Sequence, residues 1–171
     1  LGFLITSGNV DSMVNHFSVT KHRRKTDKYA PGGEAGKRPD RAVIVYSNRA
    51  REAYKDVPII LGGLEASLRR LAHYDYWEDG LRRSILLDSK ADLLVYGMGE
   101  RAILEIAEAL ASGISAKDIS GIRGTCHVSK TIPDGVDAVS LADFETLQQS
   151  KDAYCKSFAI QYKNNDSITA T

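Results

Sequence analysis

Three short segments place glycine and polar residues at the end of an apolar run. They are TSGN at 6–9, LGGLE at 61–65 and YGMGE at 96–100. Glycine lets the backbone approach a ligand closely, and free amides at a following helix start attract anionic groups. The same glycines are also typical of simple strand-to-helix turns. The segments therefore predict either a cluster of ligand-binding loops or three structural turns.

Two carboxylates occupy matching places, since Glu65 and Glu100 each fall in the first turn of a predicted helix. Each could accept hydrogen bonds from a ligand ribose or amide, or could simply complement the helix dipole. The run from His73 to Trp77 adds groups that donate, accept or stack. Arginines nearby also explain that run as a packing network. The candidate ligand-binding residues are Asn9, Asp11, Gly62, Gly63, Glu65, Arg69, His73, Tyr74, Asp75, Gly97, Gly99 and Glu100.

No residue pair predicts nucleophilic catalysis. Ser67 and His73 are six positions apart, and no GxSxG frame is present, so a hydrolase is not expected. Cys126 and Cys155 have no metal-binding spacing and are expected to be reduced, structural thiols in a cytoplasmic protein. No apolar run is long enough to cross a bilayer, so no membrane partner is expected.

The elements that would position these residues alternate between strand and helix. Apolar runs predict strands at GFLITSGN, VPIILGG and ADLLVYG, with a further strand near 124–129. If the first three strands are parallel, the glycine loops meet at the carboxyl edge of one sheet, where open α/β folds bind ligands. The predicted fold class is α/β, a Rossmann-like three-layer domain with a mostly parallel sheet, truncated at its N-terminus, plus a C-terminal helical tail.

The predicted helices carry apolar residues on one face. Asp11 should cap a helix over about 13–20, and the VIVY run within 40–56 fits either strand or helix. We expect a helix there because parallel strands need a crossover. We also expect a helix at 65–71 and a broken helical connector through 73–89. A further helix is expected at 97–113, with Gly113 as its stop and a buried stripe of Ile103, Ile106, Ala107 and Leu110. From residue 141 onward one or two amphipathic helices are expected, whose packed face carries Leu141, Phe144, Leu147, Tyr154, Phe158 and Tyr162.

The basic segment, residues 21–41, has eight lysines and arginines against three acidic residues, a surplus of five positive charges in a chain whose net charge is only +1. Its prolines and glycines argue against regular structure. It could grip nucleic-acid phosphates, although a solvated charge run is the alternative. The expected domains are 1–130 and a helical tail at 131–171 with a frayed end. Leu1 stands in place of an initiator methionine, so the sequence is expected to be a piece of a longer chain.

Several longer segments are similar to a known family. GNVDSMVNHF, GKRPDRAVIVY, the run from VPIILGGLEASLRRLAHYDYWEDG through GMGERAI, and GIRGT resemble the region that precedes the catalytic core in YgiQ-like radical SAM proteins. LADFETLQQSKDAYCKSF resembles the segment between the two domains of that family. The resemblance implies a 4Fe-4S cluster and S-adenosylmethionine in the full-length protein, held on a CxxxCxxC motif that this sequence lacks. It also implies a strand and a helix before Leu1.

The resemblance thus implies an N-terminal, non-catalytic domain of a radical SAM iron–sulfur enzyme, inactive by itself, whose partners are its own C-terminal core and an unidentified substrate. Its glycine edge is similar to the Rossmann domains that bind cobalamin, and would face the catalytic barrel. None of the four histidines stands in a DxHxxG cobalamin-ligand frame. The alternative is an RNA- or nucleotide-binding module that uses the basic segment.

Overall fold

The computed structural model describes residues 2–132 and 135–164. Within these ranges the chain forms a four-stranded sheet, a two-stranded hairpin and seven helices. The strands are β1 Phe3–Ile5, β2 Ile59–Leu61, β3 His73–Asp75, β4 Gly80–Arg82, β5 Leu93–Val95 and β6 Thr125–His127. The helices are α1 Ser12–His16, α2 Ala42–Ala53, α3 Gly63–Leu68, α4 Ile85–Ser89, α5 Glu100–Ala111, α6 Phe144–Gln149 and α7 Lys151–Lys163. The predicted frayed end, from 165 onward, lies outside the described residues.

The main sheet has the order β1-β2-β5-β6. Strands β1, β2 and β5 are parallel, and β6 runs antiparallel to β5. Helix α2 supplies the crossover between β1 and β2, so the VIVY run is helical, as expected. Apolar side chains of α2, α3 and α4 cover one face of the sheet, and α5 covers the other. The predicted mostly parallel, Rossmann-like α/β fold is confirmed.

Side chains on the three parallel strands alternate between two cores because successive residues of a strand point to opposite faces. One core contains Ile5, Leu61 and Leu94 together with Val43 of α2. The other contains Ile60 and Leu93 with the buried stripe of α5. Within that helix Ile106 is buried, Ile103 and Leu110 pack against the core, and Ala107 is exposed. The buried alanine is Ala102, so the predicted stripe was wrong at that one position.

The segment 73–89 corrects the expected helical connector. It forms the antiparallel hairpin β3–β4, followed by the short helix α4 that Ser84 caps. The four-residue turn 76–79 ends at Asp79, whose φ of 54° is the left-handed conformation that Asp tolerates better than most residues. The alternation of His73, Tyr74 and Asp75 is therefore strand periodicity, which the helical interpretation missed.

Helix α1 also ends earlier than predicted. Asp11 caps it as expected, accepting from the amides of Met13 and Val14. The helix stops at His16 because Phe17 adopts extended backbone and pairs with Arg23, starting the fold of the basic segment. That segment contains only a short 3₁₀ turn at Pro31–Gly33 within its range, so its predicted irregular character is confirmed.

The C-terminal helices α6 and α7 form near their predicted places. The predicted packed face is only partly correct, since Leu147 is buried but Phe158 and Tyr162 are exposed and contact each other. Ser157 is buried instead. The division of the chain at residue 130 stays a prediction.

Candidate functional site at the carboxyl edge of the sheet

The three glycine-containing turns meet at one edge of the sheet. Because β1, β2 and β5 are parallel, their carboxyl ends lie side by side and enclose a cavity of roughly 230 Å³. Its lining comes from all three turns, from the strands that lead into them and from α5. The lining residues are Leu4, Ile5, Thr6, Ile60, Leu61, Gly62, Gly63, Val95, Gly97, Gly99 and Ile103. The prediction that these turns gather along a common edge is confirmed.

At two of these positions the structure requires glycine. Gly63 has a φ of +80°, and a Cβ there would lie 3.2 Å from the Cβ of Thr6. Gly99 has an ordinary φ, but a Cβ there would lie only 2.7 Å from Cγ1 of Val95. Glycine at 63 lets the turn after β2 approach the turn after β1, and glycine at 99 lets the start of α5 fold back against its own strand, β5. The turn-forming role of these glycines therefore operates whether or not a ligand enters the cavity.

Glu65 lies behind the cavity rather than in its lining. Its side chain is buried, with a relative exposure of only 1% for the residue. Its two carboxylate oxygens accept hydrogen bonds from the amide of Ser12 at 2.8 Å and from the amide of Val43 at 3.1 Å. These amides belong to the first turns of α1 and α2, where backbone N–H groups lack intrahelical partners. Glu65, which lies in the first turn of α3, therefore links the N-terminus of α3 to those of α1 and α2.

Asp11 and Arg69 continue this buried polar network. One oxygen of Asp11 caps α1, and the other pairs with the guanidinium of Arg69. Arg69 also donates to the backbone carbonyl of Glu65 at 3.3 Å. The network holds α1 against the end of α3, so these predicted ligand-binding residues are engaged with the protein itself.

Asn9 and Glu100 differ from the buried network because both are exposed on the turns that follow β1 and β5. Neither makes a side-chain hydrogen bond to any residue within the described part of the chain. Glu65 and Glu100, equivalent in the sequence, are thus separated in the fold: one is an internal connector and the other is open to solvent. The ligand-binding role of both stays a prediction.

His73, Tyr74 and Asp75 lie on the hairpin and do not line the edge cavity. Burial lowers the pKa of His73, whose Nδ1 lies 3.1 Å from the carbonyl of Leu71 and whose Nε2 is buried without a hydrogen-bond partner among the described residues. Tyr74 is exposed, and its hydroxyl donates to Asp79, which raises the tyrosine pKa.

Asp75 holds the hairpin turn and anchors it to α2. One carboxylate oxygen accepts from the amides of Trp77 and Glu78, and the other pairs with Arg41 at 2.9 Å. Burial alone would raise the pKa of Asp75, but the hydrogen bonds from Arg41 and the two amides outweigh it and lower that pKa. The hairpin residues therefore form a structural network of their own, separate from the edge cavity.

An apolar strip beside the cavity was missed at the level of sequence. Leu4, Ile60 and Leu93 are paired neighbours across β1, β2 and β5 on the face that α5 covers. Their relative exposures are 61%, 2% and 0%, because α5 shields β2 and β5 but leaves β1 open. An apolar hollow of roughly 100 Å³ lies between Leu4 and α5, sharing Leu4, Ile60 and Ile103 with the edge cavity.

The strip and the edge cavity form one continuous surface, which we call the edge surface, comprising Leu4, Ile60, Ile103 and the glycine turns. The alternation of Phe3, Leu4 and Ile5 across the strand could have indicated that Leu4 points away from the core of α2. Leu4 is exposed because α5 covers β2 and β5 but does not extend over β1. The alternation of residues within a strand gives no information about the position of that helix.

The chain does not offer the ligand set of an iron–sulfur cluster. Cysteine thiolates are the usual ligands of a 4Fe-4S cluster, four in the common case, whereas this sequence has two cysteines. Cys126 is half-buried, with its pKa raised by burial, and Cys155 is exposed. Over residues 2–132 and 135–164, no group of three or more His, Cys, Asp or Glu side chains is arranged to hold a metal ion. Within the same ranges, no helix has the length and apolar character to span a membrane.

The fold and the edge cavity together define a Rossmann-like α/β domain that presents an open carboxyl edge. The family described as Radical SAM N-terminal matches residues 1–171, and the chain belongs to that family. No solved structure matches the chain.

Curated relatives are much longer than this chain. A UPF0313 protein of Clostridium botulinum (strain ATCC 19397 / Type A) is 52% identical over 167 residues, which cover 98% of this chain and 26% of the relative. A UPF0313 protein of Clostridium perfringens (strain 13 / Type A) is 53% identical over 169 residues, with the same coverage. The chain therefore spans about a quarter of the length of these relatives.

Proposed function

We propose that this chain is the N-terminal, non-catalytic module of a longer radical SAM iron–sulfur enzyme, and that it docks on the catalytic part through the edge surface. The family membership supports the first half of the proposal, and the continuous apolar strip carries the second. Catalysis requires the cluster and S-adenosylmethionine, and other parts of the longer protein would bind both. The role of this module is then to hold the substrate or the catalytic part in position.

The exposure of Leu4 is the single observation that favours docking. Its row is buried at Ile60 and Leu93, and covering Leu4 in the same way would contribute about 1.5–3 kcal/mol. Leu4 borders both the apolar hollow and the edge cavity, so a partner that covers this side chain would also cover those two depressions. The occupant is the remainder of the longer chain, since relatives at 52% and 53% identity carry about three quarters of their length beyond the matched region.

The edge cavity sits at the margin of this contact. In open α/β sheets, ligands bind beyond the carboxyl ends of the strands, where neighbouring turns leave room. If the catalytic part covers Leu4, the cavity lined by Gly62, Gly63, Gly97 and Gly99 becomes a closed space between the two parts. A substrate held there would contact both the glycine turns and the catalytic part. Asn9 and Glu100, exposed on two of the turns, are the polar groups proposed to contact such a substrate.

Binding between this chain and the separately produced remainder of the C. perfringens relative tests the proposal. Isothermal titration calorimetry should detect association with the unchanged chain, and Leu4→Lys should weaken it by at least ten-fold. The substitution puts a charge into an apolar contact, while leaving the isolated chain folded because residue 4 faces solvent there. Far-UV circular dichroism checks that the isolated variant is folded.

Leu104→Lys is the matched control. Leu104 is 59% exposed, close to the 61% of Leu4, but it lies on α5 outside both the cavity and the hollow. It should bind like the unchanged chain. Equal binding of the two variants would rule out the edge surface as the docking site. Concentration-dependent dimerisation of the isolated chain that Leu4→Lys abolishes, without binding to the remainder, would show that a second copy covers this surface instead.

A further inference from the structure

The basic segment is folded onto the domain rather than extended into solvent. Arg38 connects it to the loop after β1, donating to the carbonyl of Ser7 at 2.9 Å and pairing with Asp27 at 2.8 Å. The same end is held by His16, whose Nδ1 lies 2.7 Å from a carboxylate oxygen of Asp40, and Arg23 near the start of the segment pairs with that carboxylate. These contacts give the exposed cations of the segment a defined supporting surface.

All three acidic residues of the basic segment are used in these internal contacts. Asp27 pairs with Arg38, Glu34 with Lys37, and Asp40 with Arg23. Burial would raise the pKa of Asp27, but hydrogen bonds from Arg38, the Tyr29 amide and Asn15 hold it well below its ordinary value, so this carboxylate stays charged. The cations of the segment without a carboxylate within 4 Å among the described residues are Lys21, Arg24, Lys25 and Lys28.

Aromatic rings lie within the basic segment and against its first residue. Trp77 packs against Phe17 with ring centres 5.3 Å apart, and Tyr76 contacts Trp77 edge-on at the same distance. Lys21 lies over the Tyr76 ring at 4.8 Å, which connects the start of the basic segment to the hairpin. Tyr29 and Tyr76 remain roughly half exposed, at 44% and 47%. Lys21 contacts Tyr76, Lys28 directly precedes Tyr29 in the chain, and Arg38 lies over the Tyr29 ring at 5.6 Å. The exposed face of the basic segment therefore combines cations with partly exposed rings.

We propose that this surface binds single-stranded nucleic acid. Proteins that bind single strands combine a positively charged track for the backbone with aromatic faces on which bases stack. Lys21, Arg24, Lys25 and Lys28 supply the charge, and Tyr29 and Tyr76 supply the rings. The near-neutral net charge of the whole chain makes the interaction local to this surface. None of these six residues belongs to the edge surface, so the two proposals are tested by different substitutions.

Trp77 gives a direct measurement because it is the single tryptophan of the chain and lies under the start of the basic segment. Oligo(U) and oligo(dT) of about 12 nucleotides, a length within the range that such sites cover, should each quench its fluorescence. A difference between the two oligonucleotides distinguishes an RNA site from a DNA site. For four phosphate contacts, a plot of the logarithm of the association constant against the logarithm of the salt concentration should have a slope of about −2.8. Affinity should therefore drop about 50-fold between 50 and 200 mM NaCl.

Two substitutions separate charge from stacking. Lys25→Gln with Lys28→Gln should halve the salt slope to about −1.4, whereas Lys55→Gln with Lys117→Gln, the same charge change outside the basic segment, should leave it unchanged. Tyr29→Leu should weaken binding about five-fold or more at constant salt, since one base loses its stacking partner. Far-UV circular dichroism of each variant confirms that it is folded.

The proposal is overturned if neither oligonucleotide quenches Trp77 at 50 mM NaCl, or if the control pair changes the salt slope as much as the Lys25 and Lys28 pair does. Equal affinity for a duplex of the same length, unaffected by Tyr29→Leu, would also overturn it, because that result describes a general polyanion surface. Binding to phosphatidylserine vesicles without binding to either oligonucleotide would assign the surface to a membrane instead.

Discussion

Replacing Glu65 by glutamine tests whether this residue is a structural connector or a ligand contact. The carboxylate accepts from the amides of Ser12 and Val43. A glutamine side chain has one oxygen, so it can satisfy one amide while its own NH₂ group faces the other. A hydrogen bond to a charged group contributes about 1.5–3 kcal/mol, and a buried donor left unpaired costs about 1–3 kcal/mol. We expect Glu65→Gln to lower the free energy of unfolding by about 3 kcal/mol.

Urea unfolding of the isolated chain, followed by circular dichroism, measures this change. For an unfolding slope of about 2 kcal/mol per molar urea, the midpoint should fall by about 1.5 M. Glu100→Gln is the control, because it removes the corresponding carboxylate at the start of α5, where it is exposed. Losing a favourable interaction with the helix dipole should cost less than about 1 kcal/mol.

The outcome distinguishes the two interpretations of Glu65. A midpoint within about 0.3 M of the unchanged chain, corresponding to roughly 0.6 kcal/mol, would refute the reasoning. The two hydrogen bonds would then contribute little, and Glu65 would not be the structural connector of α1 and α2. Equal destabilisation by both substitutions would show that the helix dipole, rather than the bridging of α1 and α2, decides the effect.

Two further predictions concern the turns and the hairpin. Gly63→Ala should lower the free energy of unfolding by about 1–2 kcal/mol, because the φ of +80° and the nearby Thr6 both oppose a Cβ. Gly62→Ala is the control in the same urea assay, since Gly62 has an extended φ and open space around it. Equal losses in the two variants would argue against backbone strain at Gly63. Burial lowers the pKa of His73 below its ordinary value of 6.5, so the unfolded chain binds more protons, and the stability present above about pH 6.5 is lost as the pH falls. Urea unfolding from pH 8 to pH 5 should show a steeper loss for the unchanged chain than for His73→Asn, and parallel curves would contradict a buried neutral imidazole.

Local patterns predicted the parts of the fold where one requirement dominates. The continuous apolar runs at β2 and β5 are typical of strands buried on both faces, and the structure has them buried on both faces. Asp11 was predictable as a helix cap because its side chain acts within a few residues of its own position. The gathering of the glycine turns followed from parallel strand order alone. Each of these predictions depends on short-range chemistry or on a simple topological rule.

The hairpin at 73–82 was mispredicted because two local preferences competed. The arginines and apolar residues on either side of it are spaced in a way that also fits a helix. The turn at 76–79 and the pairing of His73 with Arg82 decided in favour of strands. Strand pairing depends on a partner that is nine residues away in the chain, so its contribution is absent from a reading of either strand by itself.

The sequence by itself determined the parallel α/β order, the turn glycines and the charge of the basic segment, because these follow from apolar periodicity, backbone freedom and composition. Tertiary structure alone decided the different roles of Glu65 and Glu100, the pairing of Asp27 and Asp40 in the basic segment, and the exposure of Leu4. Those outcomes depend on which helix N-termini, and which faces of the helices and the sheet, come together in space. Burial and hydrogen-bond partners are properties of that assembly, so equivalent positions in the sequence acquired different roles in the fold.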